Sequence, residues 1–143
     1  MNVHEPEQVL HDWIRAVNEK NEGLIEELYE PAALVMPTFS NMFLDRNDKK
    51  IGYFKTLFAR NELLVTLHPR TVRVQYVGSS VAVVSGLYCW SMTVEEEPVS
   101  YEARFSFVLD LSQPRPILHH HSSQIPRTIY CGPSAGVDPG AGK

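Results

Sequence analysis

The run Pro116-Ile117-Leu118-His119-His120-His121-Ser122-Ser123-Gln124-Ile125-Pro126 passes from apolar residues straight into three histidines and two hydroxyls. Pro114, Pro116 and Pro126 bracket it, and a residue that cannot donate to an inner ladder marks where a strand enters or leaves a sheet. The run therefore reads as a buried strand with a polar end. Alternation puts Leu118, His120 and Ser122 on one face and Ile117, His119, His121 and Ser123 on the other. His119 and His121 project together, as metal ligands would, but a site needs a third ligand and no spacing here supplies one. Hydrogen-bonded structural histidines are the expected reading, with neither a metal nor a cofactor.

Working outward, 143 residues suffice for one domain with a real core. Hydrophobic residues make up 43% and charged residues 21%, too apolar for disorder, and the net charge of −4 offers no basic field for nucleic acid or an anionic membrane. Met1 to Glu7 carries acids rather than a leader pattern, so a cytoplasmic protein is expected. Cys89 and Cys131 are too few for a disulfide framework.

Upstream of the histidine strand, Val9, Leu10, Trp13, Ile14 and Val17 recur at helical spacing behind Glu5-Pro6-Glu7, and Leu24, Ile25, Leu28 and Tyr29 form a shorter helix ended by Pro31. Ala33 to Met36 is a short strand stopped by Pro37. A third helix carries Ile51, Tyr53, Phe54, Leu57 and Phe58. Strand texture then dominates: Leu63 to Leu67, Thr71 to Val77, Val81 to Met92 and Ser100 to Leu109, with turns at Gly78-Ser79-Ser80 and Glu95-Glu96-Glu97-Pro98. Tyr88 and Trp90 share one face of their strand. In the next, Glu102, Arg104 and Ser106 oppose Tyr101, Phe105 and Phe107. A domain over residues 1–128 is expected, followed by a flexible Gly/Pro-rich tail over 129–143.

Three helices and a set of long, mostly antiparallel strands predict an α+β fold, with the helices covering one face of a curved sheet that encloses a pocket. The segments Leu34 to Ser40, Tyr53-Phe54, Ala103 to Val108 and His119 to Pro126, in this order, resemble the nuclear transport factor 2-like superfamily. Within it, the chain is most similar to SnoaL-like proteins and to the association (hub) domain of calcium/calmodulin-dependent protein kinase II. The resemblance implies a cone-shaped, cystatin-like fold and a homodimer, or higher assembly, through the outer sheet face. It also implies that Arg104 matches a hub pocket arginine, while Ser122 stands where the hub strand has another. Isomerases of this superfamily carry a base Asp at the end of the early strand, where this chain reads Val35-Met36-Pro37-Thr38.

Three functions are open to such a scaffold. The first is SnoaL-like binding of a small organic, carboxylate-bearing ligand in a pocket of Tyr53, Tyr88, Trp90, Glu102, Arg104 and Ser122. The second is an isomerase-, cyclase- or hydratase-like enzyme on that pocket, with His120 as general base and Arg104 stabilising charge. The third is an oligomerisation module in which Tyr101, Phe105 and Phe107 form the interface.

Overall fold

The computed structural model describes residues 1–126, so the expected tail lies outside the described residues. The elements run α1 (Pro6–Asn18), α2 (Glu22–Leu28), β1 (Tyr29–Met36), α3 (Asn47–Phe58), β2 (Asn61–Leu67), a 3-10 turn (Pro69–Thr71), β3 (Arg73–Val77), β4 (Val81–Val94), β5 (Glu97–Asp110) and β6 (Ile117–Gln124). Six strands make one sheet in the order β1-β6-β5-β4-β2, with β3 pairing the start of β4. Only the β1–β6 pair is parallel. This is the α+β architecture expected.

Tyr29 opens β1 rather than ending α2. Asn21 caps α2 by accepting from the Leu24 N–H at 3.0 Å, and the coming Pro31 disfavours helix before it, so the chain turns extended at Tyr29. The β1–β6 register slips between Tyr29 and Leu34, around Pro31. Lys50 of α3 repairs that stretch. Its ammonium, 2% exposed, donates to the carbonyls of Pro31 at 2.9 Å and Ala33 at 2.8 Å. Burial lowers its pKa, and the nearby Glu30 carboxylate opposes that.

β6 carries a second irregularity. Val108 pairs His119 while Leu109 pairs Ile117, so Leu118 is the extra residue of a bulge. Ile117 therefore turns inward beside Leu109, and the simple alternation expected for this strand fails at its first residues.

The helices cover one sheet face. Their core residues meet the inward side chains of β4, β5 and β6: Tyr88, Trp90, Phe105, Phe107 and His120. Trp13 of α1 sits at the centre, stacked on Tyr88 with ring centroids 5.5 Å apart and edge-on to Phe107 and His120. Among the described residues, no helix is long and apolar enough to cross a membrane.

Candidate functional site: two cavities and a buried hydrogen-bond chain

The inward residues of β6 set the chemistry of the interior. His120 is 3% exposed and stacked on Phe107 with centroids 3.9 Å apart. Tyr29 Oη lies 2.7 Å from its Nδ1 and Tyr88 Oη lies 3.2 Å from its Nε2. Trp13 Nε1–H donates to Tyr29 Oη at 2.9 Å. Tyr88 in turn reaches the hydroxyls of Ser122 and Thr38, which bond each other. Six side chains from α1, β1, β4, β6 and the loop after β1 thus form one continuous chain with His120 near its middle.

Burial pushes the His120 pKa down to about 3, and the adjacent His119 and His121 add to that. Burial likewise raises both tyrosines, so their protons stay in place. A neutral ring with both nitrogens engaged holds the core together and has no lone pair left for a substrate proton. The general-base role expected of His120 has no geometric support.

Two cavities flank the loop of residues 38–44. The larger, about 560 Å³, opens between this loop, α3 and the far ends of β4 and β5. Phe39, Tyr53, Leu57, Met92, Val94 and Tyr101 give it an apolar wall, and Lys49 and Arg60 also line it. Phe39 packs edge-on against both Trp90 and Tyr101, at 5.5 Å each. The Phe39 N–H donates to Tyr53 Oη at 3.4 Å, and burial pushes the Tyr53 hydroxyl up to about 12. The smaller cleft, about 320 Å³, lies between Met36–Phe43 and the end of β6, with Thr38 and Ser122 both in its wall.

The sequence-derived pocket is only partly assembled. Tyr53 lines the larger cavity and Ser122 the smaller. Tyr88 and Trp90 are core, and the buried Trp90 indole N–H has no partner among the described residues. Arg104 and Glu102 are corrections. Leu87 pairs Arg104 and Tyr88 pairs Ala103, so the face that carries Tyr88 carries Ala103, Phe105 and Phe107, while Arg104 and Glu102 face outward. Arg104 is exposed and sits opposite Ser123, not His120. Glu102 instead holds His68 across the outer face, 2.7 Å from Nε2 to Oε1. The reason is energetic: two phenyl rings gain several kcal/mol from burial, whereas an unpaired guanidinium loses more than that.

The expected interface row inverts with it. Phe105 and Phe107 are 3% and 1% exposed in the core, and Tyr101 lines the larger cavity. Parity along β5 separated the two sets correctly; assigning the wrong set to the pocket moved all five residues. Thr38, Tyr29 and Arg60 were missed. Thr38 and Tyr29 come from segments far from β6 in sequence, and no local spacing links them to it.

The profile of the calcium/calmodulin dependent protein kinase II association domain matches residues 3–126. Among solved structures, a protein named as a candidate association domain of this kind from Xanthomonas campestris has a TM-score of 0.75 at 24% identity, covering 86% of this chain and 88% of its own. The S. rosetta CaMKII hub has a TM-score of 0.70 at 16% identity, with 83% and 93% covered. A nuclear transport factor 2-like superfamily protein from Salmonella enterica has 0.73 at 12% identity, with 85% and 89% covered. These likenesses establish the nuclear transport factor 2-like, cystatin-like fold that the sequence led us to expect. No curated protein sequence is similar enough to this one to count as a match.

Proposed function

Because the chain belongs to the calcium/calmodulin dependent protein kinase II association domain family, we propose that it is a self-associating module and that a second copy of the chain docks on its outer sheet face. The observation that carries this reading is the one-sided sheet. Helices pack on the Tyr88–Phe107–His120 face, and no element of residues 1–126 covers the other. That outer face mixes half-buried apolar side chains, Leu34, Val83, Leu87 and Val108, with the Arg104 guanidinium and the His68–Glu102 pair. An apolar centre among polar and charged groups is the texture of a protein interface, and a face shared by identical copies favours a two-fold dimer. Sedimentation at micromolar protein is expected to give at least a dimer mass, and Leu87→Glu, an outward substitution, should return a folded monomer. A wild-type monomer at that concentration sinks the reading.

A second reading has its own observation, the cavity of about 560 Å³ at the cone mouth. Its size and apolar wall suit a small organic molecule with a flat apolar body. Tyr53 Oη accepts from Phe39 and keeps its own proton to donate. Arg60, rather than Arg104, is the guanidinium within reach of an acidic end of such a ligand. In this form the module keeps the ligand-holding role expected of a SnoaL-like protein.

A further inference from the structure

The chain that starts at Trp13 has a direction, and the direction fixes what the smaller cleft offers a ligand. An indole N–H can only donate, so Tyr29 Oη accepts it; the buried Tyr29 proton then needs an acceptor, and among the described residues His120 Nδ1 is the group in reach. The neutral ring then carries its proton on Nε2 and donates it to Tyr88 Oη. Tyr88, already accepting and fully buried, has its own proton to place, and the Ser122 and Thr38 hydroxyls are the groups beyond it. Ser122 and Thr38 share one further hydrogen bond. Every bond in the series uses one proton from the group before it, so one hydroxyl proton is left over at the end. Whether Thr38 or Ser122 holds it, both line the cleft.

We propose that this cleft is a binding site for an uncharged carbonyl compound, an amide or ketone with an apolar body, whose oxygen accepts the proton left at its floor. The remaining wall fits that chemistry. Asn41 and Gln124 bring amides, and Met42 and Phe43, 55% and 58% exposed, bring apolar surface that is otherwise turned to water. Among the described residues no lysine or arginine lines the cleft, and the titratable side chain in its wall is the exposed His121. A carboxylate entering it would lose hydration with no fixed cation in return, whereas a neutral carbonyl needs only the donor already there. The floor is also rigid, because the hydroxyls are anchored through His120 to the Trp13 core, so little ordering entropy is lost on binding. The two cavities therefore divide their ligands by charge.

Benzamide and benzoate share a shape and differ in charge, which makes them the probes. In amide nuclear magnetic resonance titrations of the full chain, benzamide is expected to shift the signals of Thr38, Ser123 and Gln124, with benzoate roughly tenfold weaker at the same signals. Either hydroxyl alone would keep a proton to donate, so the test variant removes both: Thr38→Val with Ser122→Ala should weaken benzamide by roughly tenfold. If that variant does not fold, Asn41→Trp, an exposed substitution that fills the cleft, carries the same expectation. Equal binding of benzoate, unchanged affinity in the hydroxyl variant, no shift at millimolar benzamide, or shifts confined to Thr56, Leu57 and Met92 each overturn the proposal. His121 and Ser123 lie on the face proposed for self-association, so the titration is repeated on Leu87→Glu. Shifts that persist there keep the cleft separate from the fate of the interface, and shifts lost there overturn it as a site of the single chain.

Discussion

His120 occupies the position where burial, aromatic stacking and two tyrosine hydroxyls meet, and removing it strips a partner from both hydroxyls at once. His120→Leu is expected to lower stability by roughly 2–4 kcal/mol, read from urea midpoints at neutral pH. The pH dependence has a definite sign. The folded ring stays neutral down to about 3, while an unfolded histidine takes a proton near 6.5, so between those values the unfolded state binds one proton more. Stability contributed by the neutral ring is complete above about pH 6.5. As pH falls toward 3 it is lost at about 1.4 kcal/mol per pH unit. The stability-against-pH slope of His120→Leu should be shallower by that amount, since the other histidines titrate in both proteins. Identical slopes would show that the ring is not held neutral.

Among the elements, the β4–β5 hairpin is the most strained at its tip. Val94 pairs Glu97, leaving a two-residue loop of Glu95 and Glu96 with φ of 51° and 68°. Two positive φ values match the right-handed strand twist but suit Asn-Gly, and two adjacent carboxylates gain nothing there. Glu95→Asn with Glu96→Gly should stabilise the fold by about 1 kcal/mol without moving any core residue, measured as a raised melting temperature. Further along the same strand, Gly86 is required by contact instead of by φ. A Cβ there would lie 3.0 Å from the Phe105 ring and 3.1 Å from Thr71 Oγ1. That close approach lets Phe105 lie over β4 and stack on Tyr88 at 4.6 Å.

For the whole molecule, the question is which side of the sheet each strand presents. Phe105 and Leu87 lie on adjacent strands and face opposite ways. The same substitution at each separates folding from assembly. Phe105→Glu puts a carboxylate among Trp13, Tyr88 and Phe107, and circular dichroism should show loss of the cooperative fold. Leu87→Glu should keep that fold and change only the mass. If Phe105→Glu stayed folded and became monomeric, the inner and outer faces would be the reverse of those described.

The sequence by itself determined the element order, the α+β class and the family resemblance, because periodicity and turn residues are local signals. It also divided β5 correctly into Glu102–Arg104–Ser106 and Tyr101–Phe105–Phe107, since alternation is a property of the strand alone. Which set faces inward was decided by the register Tyr88↔Ala103 and Phe107↔His120 and by the side on which the helices pack. That is a choice between burying two phenyl rings and burying a guanidinium. The slip at Leu118, the reach of Lys50 to the β1 carbonyls and the meeting of Thr38 with Ser122 were likewise settled only by tertiary structure. The last two join groups whose separation along the chain leaves no local pattern, and they exist because a buried polar atom must find its partner wherever the fold places one.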